Sequence, residues 1–325
     1  MKVLITGGAG FIGSHLTAHL LEQGCEVRVL DNFATGRRSN LATLGGEVDL
    51  VEGDIQSYER VNNAVSGCEI VMHQAALPSV PRSIQDPLTS NATNVIGTLN
   101  VLLAARDHGV RRVVLASSSS VYGRGAGTSA KREEQPTLPI SPYATAKLAG
   151  EGYARSFREV YGLETVTLRY FNVFGPLQDP SSQYAAVVPN FISALLAGRR
   201  PLIFGDGEQS RDFTYVANVV QANMLAIDAP KAAGRLYNVA CGEQVTLNRL
   251  VRELRELLAS DAEPVFAAPR PGDIKHSLAD LSLARAELGY EPAVPLREGL
   301  QRTIQYFRAE EQPGGLDAMV GAREH

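Results

Sequence analysis

The chain has few cysteines, no long apolar segment and little net charge. Its three cysteines, Cys25, Cys68 and Cys241, are odd in number and far apart, which excludes a disulfide framework and offers no metal-ligand spacing. No apolar run reaches the roughly 20 residues of a transmembrane helix, and the N-terminus lacks a basic region followed by a small-residue cleavage site. We therefore expect a cytoplasmic protein that is not embedded in a membrane and carries no metal.

The net charge of −4 gives no reason to expect nucleic acid or an anionic membrane as a partner. Any affinity for phosphate must come from local arginines and from helix N-termini. With 325 residues, 44% of them hydrophobic and 20% charged, the chain is long enough for one large globular domain or two modest ones.

The N-terminal segment combines a short apolar run with three glycines spaced three apart, Gly7, Gly10 and Gly13. A buried strand that ends in such a turn points the bare N–H groups of the next helix at a pyrophosphate. The spacing differs from the G-x-G-x-x-G of the best-known dinucleotide folds, and a glycine-rich turn without a ligand gives the same pattern. We interpret the segment, including Phe11 and Ile12, as a dinucleotide loop.

An acidic residue follows this loop at the expected distance. A second predicted strand, residues 25–30, ends in Asp31, where a carboxylate hydrogen-bonds the adenosine ribose of a dinucleotide. Because that charge would repel a 2′-phosphate, we predict NAD rather than NADP. Arg37 and Arg38 could instead favour NADP, but we interpret them as solvated loop arginines.

A third predicted strand covers residues 48–52 and is followed by Asp54 and Ile55. The Asp54 carboxylate could accept a hydrogen bond from the adenine amino group, or it could cap the next helix. Both alternatives stay open at this point. Ile55 could pack on the adenine ring.

Strand-like and helix-like segments alternate up to about residue 170, which predicts an α/β fold with a doubly wound parallel sheet of the Rossmann type. The further predicted elements are strands at 69–73, 110–117 and 165–170 and helices at 57–66, 89–107, 141–161 and 247–258. Ser141 can cap the third of these helices, and Pro142 suits its first position.

The second half is richer in glycine, proline and polar residues, which predicts a smaller α/β lobe. The predicted division is a dinucleotide-binding domain at 1–171, to which part of 212–240 returns, a substrate lobe at 172–211 and 241–310, and a mobile tail at 311–325.

Two features carry catalytic chemistry. Tyr143 and Lys147 are four residues apart and share a helix face, so the ammonium and the first-turn helix dipole both favour a phenolate, as would the positive charge of a bound nicotinamide ring. A phenol with a lowered pKa could act as a base near neutral pH. The second feature is a run of serines after a predicted strand. Ser118, Ser119 and Ser120 place hydroxyls at the ligand crevice of such a sheet, where they can share the proton and bind a substrate oxygen. Taken singly, the Tyr143–Lys147 pair could be an ordinary surface contact, and the serine run could be an ordinary polar turn.

In this order, the motifs resemble the extended short-chain dehydrogenase/reductases that act on nucleotide sugars, and the resemblance covers residues 1 to about 310. It implies a tightly held NAD, a catalytic set of Ser118, Tyr143 and Lys147, and a C-terminal lobe that grips a nucleoside diphosphate. Phe171 and Asn94 would pack near the nicotinamide. The other cofactor-binding positions implied are Asn32, Gln74, Ala75, Ala76 and Tyr170.

The serine run separates the reactions within this family. The 4,6-dehydratases carry Asp and Glu directly after the catalytic hydroxyl, and the related decarboxylases keep the Glu. Here these positions are Ser119 and Ser120, which cannot act as carboxylate acids or bases. The resemblance therefore implies a 4-epimerase that works through a transient 4-keto sugar. Stretches that are similar to UDP-N-acetylhexosamine 4-epimerases lie at 73–77, 170–175, 178–180, 210–213 and 272–277.

The same resemblance implies a UDP-sugar site. The diphosphate would be bound by Asn172, Arg211 and Arg270, since guanidinium groups suit phosphate oxygens. The remaining positions would hold the nucleoside and sugar: Leu202 and Phe204 around uracil, Phe213 and Asp273 at the ribose, and Ser79, Ala186, Val187 and Ser277. Core packing explains Phe204 and Phe213 equally well when they are taken alone, and Arg270 alone could be a solvated side chain.

Ser277 and Pro78 bear on the choice of sugar. In the family a large aromatic residue at the first position closes the sugar pocket, whereas a small one leaves room for an N-acetyl group. We expect UDP-GlcNAc and UDP-GalNAc as substrates, and also UDP-Glc and UDP-Gal. Pro78 stands where relatives that prefer acetylated sugars tend to have glycine, which leaves the preference open.

The alternatives are a UDP-glucuronate 4-epimerase, another nucleotide-sugar oxidoreductase of the family, and, from a different class, a non-catalytic NAD-sensing protein. The family also implies a homodimer that pairs through the helices at 89–107 and 141–161.

Overall fold

The computed structural model describes residues 1–123, 129–180, 186–269 and 275–310. The strands of the described residues are β1 (Lys2–Thr6), β2 (Glu26–Asp31), β3 (Val48–Glu52), β4 (Ile70–His73), β5 (Arg112–Ser118), β6 (Glu164–Tyr170), β7 (Val173–Phe174), β8 (Leu202–Phe204), β9 (Ser210–Arg211), β10 (Thr214–Tyr215), β11 (Arg235–Val239), β12 (Val245–Thr246) and β13 (Val265–Ala267).

The α-helices are α1 (Phe11–Glu22), α2 (Ser39–Ala42), α3 (Tyr58–Val65), α4 (Val80–Gln85), α5 (Pro87–Asn91), α6 (Thr98–Asp107), α7 (Pro142–Tyr161), α8 (Val187–Leu196), α9 (Val216–Asp228), α10 (Leu247–Leu258), α11 (Ser282–Leu288) and α12 (Leu296–Glu310). A π-helix joins α5 to α6 (Ala92–Gly97), and a 3₁₀ turn follows β5 (Ser119–Tyr122). No helix among these described segments is long and apolar enough to cross a bilayer.

Seven parallel strands form the central sheet in the order β11-β6-β5-β4-β1-β2-β3, which confirms the predicted doubly wound fold. The strand order reverses between β1 and β4, and in such sheets the ligand crevice opens at the carboxyl ends beside this reversal. The predicted site residues Gly7, Asp31, Ser118 and Tyr170 all lie at these carboxyl ends. The fold therefore brings residues that are distant in sequence to one edge.

The second half of the chain adds small two-stranded sheets around the crevice, β10–β7, β12–β9 and β13–β8. It also returns one strand to the main sheet, because β11 pairs in parallel with β6 from Arg235 opposite Val166 to Val239 opposite Tyr170. The division of the chain into domains at residue 171 stays a prediction. The predicted mobile tail, 311–325, lies outside the described residues.

The predicted single helix over 89–107 is wrong. The chain forms α5, the π-helix and α6 there, and α4 precedes them. Gly97 lies so close to Ile55 that a Cβ would come within 2.5 Å of its side chain, and the buried Asn94 bonds the backbone of Leu77. These tertiary contacts account for the wider turn, which periodicity along the sequence does not reveal.

Candidate active site

The glycine loop is shaped for close approach of backbone to backbone. Gly7 has a φ of +72°, and a Cβ there would lie 2.7 Å from the backbone of Ala75. A Cβ on Gly13 would lie only 2.0 Å from the carbonyl oxygen of Gly7. Gly10 is the N-cap of α1, whose first turn has no side-chain cap and no acidic residue. The first N–H groups of α1 are therefore available to an anion.

Asp31 is buried at the end of β2, beside this loop. Its Oδ2 accepts from the N–H of Ala9 (2.9 Å) and its Oδ1 from the N–H of Phe33 (2.8 Å). Burial raises the pKa of Asp31, and these backbone hydrogen bonds oppose the rise. Each carboxylate oxygen has a second lone pair, so a ribose hydroxyl could still donate to it.

Arg37 and Arg38 are exposed, as predicted, but each is paired with a carboxylate. Arg37 Nη2 lies 2.9 Å from Asp179 Oδ2, and Arg38 pairs with Glu52 while its guanidinium carbon lies 4.0 Å from the centroid of the Phe33 ring. Both arginines are thus engaged by carboxylates, and a 2′-phosphate site is not needed to explain either of them.

Asp54 follows β3 and does not cap the next helix. Ser57 is the N-cap of α3, and its Oγ accepts from the N–H of Arg60. Asp54 instead accepts from Asn32 Nδ2 at 2.8 Å and from the N–H of Gln56 at 2.8 Å. The helix-cap alternative is therefore wrong, and the adenine contact of Asp54 stays a prediction.

The segment after β4 is held by side-chain amides. Gln74 Nε2 donates to Asn223 Oδ1 (3.2 Å), and the Tyr170 hydroxyl donates to Gln74 Oε1 (3.2 Å). Asn223 Nδ2 in turn donates to the Tyr170 oxygen at 2.8 Å, and burial raises the pKa of Tyr170 to about 12. This phenol is neutral and anchors the loop, together with Ala75 and Ala76, at the crevice edge.

The side-chain amide of Asn94, which was predicted to lie near the nicotinamide, forms hydrogen bonds with the protein backbone. Its Oδ1 accepts from the N–H of Leu77 at 2.9 Å, and its Nδ2 donates to the Leu77 carbonyl at 3.3 Å.

His73 was missed by the sequence reasoning because it ends an apolar strand. Its Nδ1 lies 2.7 Å from Thr6 Oγ1 and its Nε2 lies 3.0 Å from Thr98 Oγ1. Burial lowers the pKa of His73 to about 3.

The serine turn and α7 meet at Tyr143. Ser141 caps α7 by accepting from the N–H of Ala144, and Pro142 occupies the first turn, as the sequence predicts. A hydrogen bond joins Tyr143 to Ser118, whose Oγ also accepts from the Ser120 hydroxyl at 2.9 Å.

The expected lowering of the Tyr143 pKa is wrong for the chain by itself. Burial raises the pKa of this phenol to about 12, and the hydrogen bond with Ser118 only opposes the rise. Lys147, one turn further along α7, donates from Nζ to the carbonyl of Ala116 at 2.8 Å. Burial lowers the pKa of the Lys147 amine to about 8. Desolvation of both groups outweighs the effect of their spacing.

A cavity of about 200 Å³ lies between the small sheets of the second half. Because successive side chains of a strand point to opposite faces, Leu202 and Phe204 of β8 line the cavity and Ile203 is buried on the other face. Seven predicted substrate residues line it: Asn172, Ala186, Val187, Leu202, Phe204, Arg211 and Phe213. Gln209 also lines it and was not predicted, since one glutamine in a loop gives no distinctive signal.

The other predicted substrate residues lie outside this cavity lining. Ser79 caps α4, with its Oγ accepting from the N–H of Arg82 at 3.1 Å. Ser277 donates its N–H to the carbonyl of Ser210 at 3.1 Å, next to Arg211. Arg270 and Asp273 lie outside the described residues.

Comparison with known proteins agrees with this geometry. The model of the NAD dependent epimerase/dehydratase family matches residues 3–240. The chain belongs to this family. A UDP-glucose 4-epimerase of Mycolicibacterium smegmatis is 40% identical over 316 residues, which cover 96% of this chain and all of that protein.

Two solved structures of the family are also similar. A UDP-N-acetylglucosamine 4-epimerase from Methanobrevibacter ruminantium, in complex with UDP-N-acetylmuramic acid, has a TM-score of 0.91 at 40% identity and covers 95% of this chain and 98% of that one. A UDP-glucose 4-epimerase of Thermus thermophilus, in complex with NAD, has a TM-score of 0.87 at 38% identity and covers 95% and 99%.

Family membership confirms the predicted cofactor, NAD, and the prediction of an enzyme of this class. The residues present fit that cofactor. The bare N–H groups of α1 suit a pyrophosphate, a Cβ on Gly7 or Gly13 would close the turn, and the Asp31 carboxylate suits an unphosphorylated ribose.

Proposed function

We propose that this enzyme interconverts the C4 epimers of UDP-hexoses, acting on UDP-GlcNAc and UDP-GalNAc and also on UDP-Glc and UDP-Gal. One observation carries the reaction type. The 3₁₀ turn after Ser118 has hydroxyls at Ser119 and Ser120, next to the residue that bonds Tyr143. The dehydratases and decarboxylases that the sequence resembles carry a carboxylate at this turn, and the serine hydroxyls here cannot take its place as an acid or base.

Tyr143 takes the proton of the sugar 4-hydroxyl and later returns it. NAD, when bound, supplies the reversible two-electron oxidation of C4. Burial raises the pKa of Tyr143 to about 12 even with Lys147 one helical turn away, so the phenol needs further positive charge to act as a base at neutral pH. The positively charged nicotinamide ring of bound NAD would supply it. Ser118 shares the proton of the phenol and orients the sugar oxygen.

Epimerisation also requires that the sugar turn over while the nucleotide stays in place. The cavity lined by Leu202, Phe204 and Arg211 supports this role, because it combines flat apolar walls with a guanidinium fork. Leu202 is 48% exposed although it is apolar, which suits a surface that a base would cover. α8 begins at the same cavity without a side-chain cap, so its N–H groups suit a phosphate.

The acceptance of acetylated sugars rests on Ser277. Its backbone is held against Ser210, one residue before Arg211, so a change of side chain there acts beside the nucleotide cavity. Pro78 follows Leu77, whose N–H and carbonyl are both hydrogen-bonded to Asn94. The proline is thus part of a fixed loop.

The test compares UDP-Glc, UDP-GlcNAc and UDP-glucuronate in separate reactions and scores the 4-epimer of each. Ser277→Tyr should abolish turnover of UDP-GlcNAc and keep that of UDP-Glc, whereas the matched control Ser277→Ala should turn over both. Unchanged turnover of UDP-GlcNAc by Ser277→Tyr contradicts the substrate proposal. Epimerisation of UDP-glucuronate, or net reduction of added NAD, favours the alternative activities.

We further propose that the enzyme is a homodimer. Helices α4, α5 and α7 expose large apolar side chains, led by Leu88 at 83% and Val160 at 70%, and α5 packs on α7. Val160→Glu should lower the mass measured by sedimentation to that of one chain. The control Leu50→Glu changes an exposed apolar residue on β3 and should leave the mass unchanged.

A further inference from the structure

A buried ion pair lies one helical turn beyond Lys147. Glu151 on α7 and Arg169 on β6 have side chains that are 7% and 4% exposed, and Arg169 Nη2 lies 2.6 Å from Glu151 Oε2. Arg169 Nε donates to Glu151 Oε1 at 2.8 Å, and the Ser117 hydroxyl donates to the same oxygen at 2.5 Å. The carboxylate therefore accepts three hydrogen bonds from two neighbouring strands.

These bonds fix the part of β5 that meets the catalytic residues. Ser117 lies between Ala116, whose carbonyl accepts from Lys147 Nζ, and Ser118, which bonds Tyr143. Glu151 thus holds the end of β5 at a set distance from α7. A displacement of Ser117 would move both neighbours at once.

Glu151 also acts on the charge of Lys147. Glu151 on α7 and His73 on β4 interact with that amine, Tyr143 lies one turn before it on α7, and Arg169 on β6 is paired with Glu151. Tyr143 and His73 are neutral at pH 7, because burial moves their pKa values to about 12 and about 3. Arg169 is the cation that pairs with Glu151, and of these two partners it is Glu151 whose charge raises the pKa of Lys147. Burial lowers the pKa of Lys147 to about 8, and the charge of Glu151 opposes that fall.

We propose that Glu151 is a positioning residue of this active site, which locks the end of β5 against α7 and keeps the Lys147 amine protonated while Tyr143 works. The proposal rests on the proposed 4-epimerase activity. Removal of the Glu151 charge would leave the buried Lys147 amine facing only neutral groups and an unpaired Arg169. The protonated, active form of Lys147 would then be lost at a lower pH.

The test is Glu151→Gln, which keeps the shape and one acceptor oxygen. The alkaline limb of kcat against pH should move to lower pH by about 1 unit or more, and activity should recover on the acid side. KM for the UDP-sugar should stay unchanged. Ser117→Ala is the matched control, since it removes one hydrogen bond of the network but leaves the charge, and its alkaline limb should stay in place.

The double variant Glu151→Gln with Arg169→Leu guards against unfolding, because it leaves no unpaired guanidinium at position 169. The pKa of Lys147 is read independently of turnover, from the ¹³Cε shift of labelled lysine, and should fall in Glu151→Gln. It should fall by less in the double variant, which removes the Arg169 cation together with the Glu151 anion. An unmoved Lys147 pKa and alkaline limb overturn the proposal, as does a loss of folding in both variants. If instead the Lys147 pKa falls but the parent enzyme epimerises no UDP-hexose, the proposed function fails alone.

Discussion

Gly13→Ala should remove NAD binding without unfolding the protein. The new Cβ would lie 2.0 Å from the carbonyl oxygen of Gly7, whereas real Cβ contacts stay above 3.0 Å. Gly7 cannot retreat, because its N–H bonds Leu30 at 2.8 Å and its own Cα has the Ala75 backbone beside it. The first turn of α1 must therefore move away by at least the difference of the two distances, about an ångström.

The size of the effect follows from that displacement. N–H···O bonds lose most of their strength beyond about 3.5 Å, so N–H groups displaced by an ångström no longer reach a phosphate oxygen. A hydrogen bond to a charged group contributes about 1.5–3 kcal/mol, and the loss of two should raise Kd for NAD by about 10²- to 10⁴-fold. Overpacking should lower the free energy of unfolding by about 1–3 kcal/mol, which leaves the fold intact.

The assay is the NAD content of the purified protein, followed by calorimetric titration with NAD and, separately, with UDP. UDP affinity should be unchanged, because the cavity around Phe204 lies on other elements. Gly45→Ala is the control, since a Cβ at Gly45 meets no atom within 4 Å. Retention of NAD by Gly13→Ala at the parent affinity would refute the reasoning and the assignment of the loop.

Three further predictions concern single side chains. Tyr143→Phe should lower kcat by about 10²- to 10⁴-fold while UDP still binds, and near-normal turnover would exclude this base. Arg211→Ala should weaken UDP binding by about 10- to 100-fold in titration calorimetry with NAD content unchanged, whereas an unchanged affinity would remove Arg211 from the phosphate site. The neutral His73 stabilises the fold fully above its unfolded pKa of 6.5, and this contribution is lost as pH falls towards 3. Between these pH values the free energy of unfolding, measured with denaturant, should fall by up to about 1.4 kcal/mol per pH unit, and the fall should be smaller in His73→Asn. Equal slopes for the two proteins would contradict this role of His73.

Local patterns predicted the elements whose ends are marked in the sequence. Strand β3 and helix α10 occupy the predicted residues, and α7 begins after the predicted Ser141 cap and ends at Gly162, whose φ is +74°. Such signals act within a few residues and need no tertiary contact.

Features set by tertiary packing were not predicted. The π-helix at Ala92–Gly97 follows from contacts of Asn94 and Gly97 with segments far away in the chain. The pKa of Tyr143 in the chain without cofactor also depends on tertiary packing, because spacing on a helix says nothing about how deeply the phenol is buried. The signal for α4 was present, since Ser79 precedes a proline at the start of that helix, but it was assigned to the substrate.

The ion pair between Arg37 and Asp179 connects the loop after β2 with the segment that leads towards α8. A second link, from His15 to the carbonyl of Pro176 at 3.0 Å, joins α1 to the same segment. These two contacts couple the dinucleotide loop to the segment beside the nucleotide cavity. If bound dinucleotide raises the affinity for the nucleotide sugar by some factor, bound nucleotide sugar raises the affinity for the dinucleotide by the same factor. Since an exposed pair contributes at most about 1 kcal/mol, the cooperativity that this pair can transmit is a few-fold in affinity and should fade as salt is added.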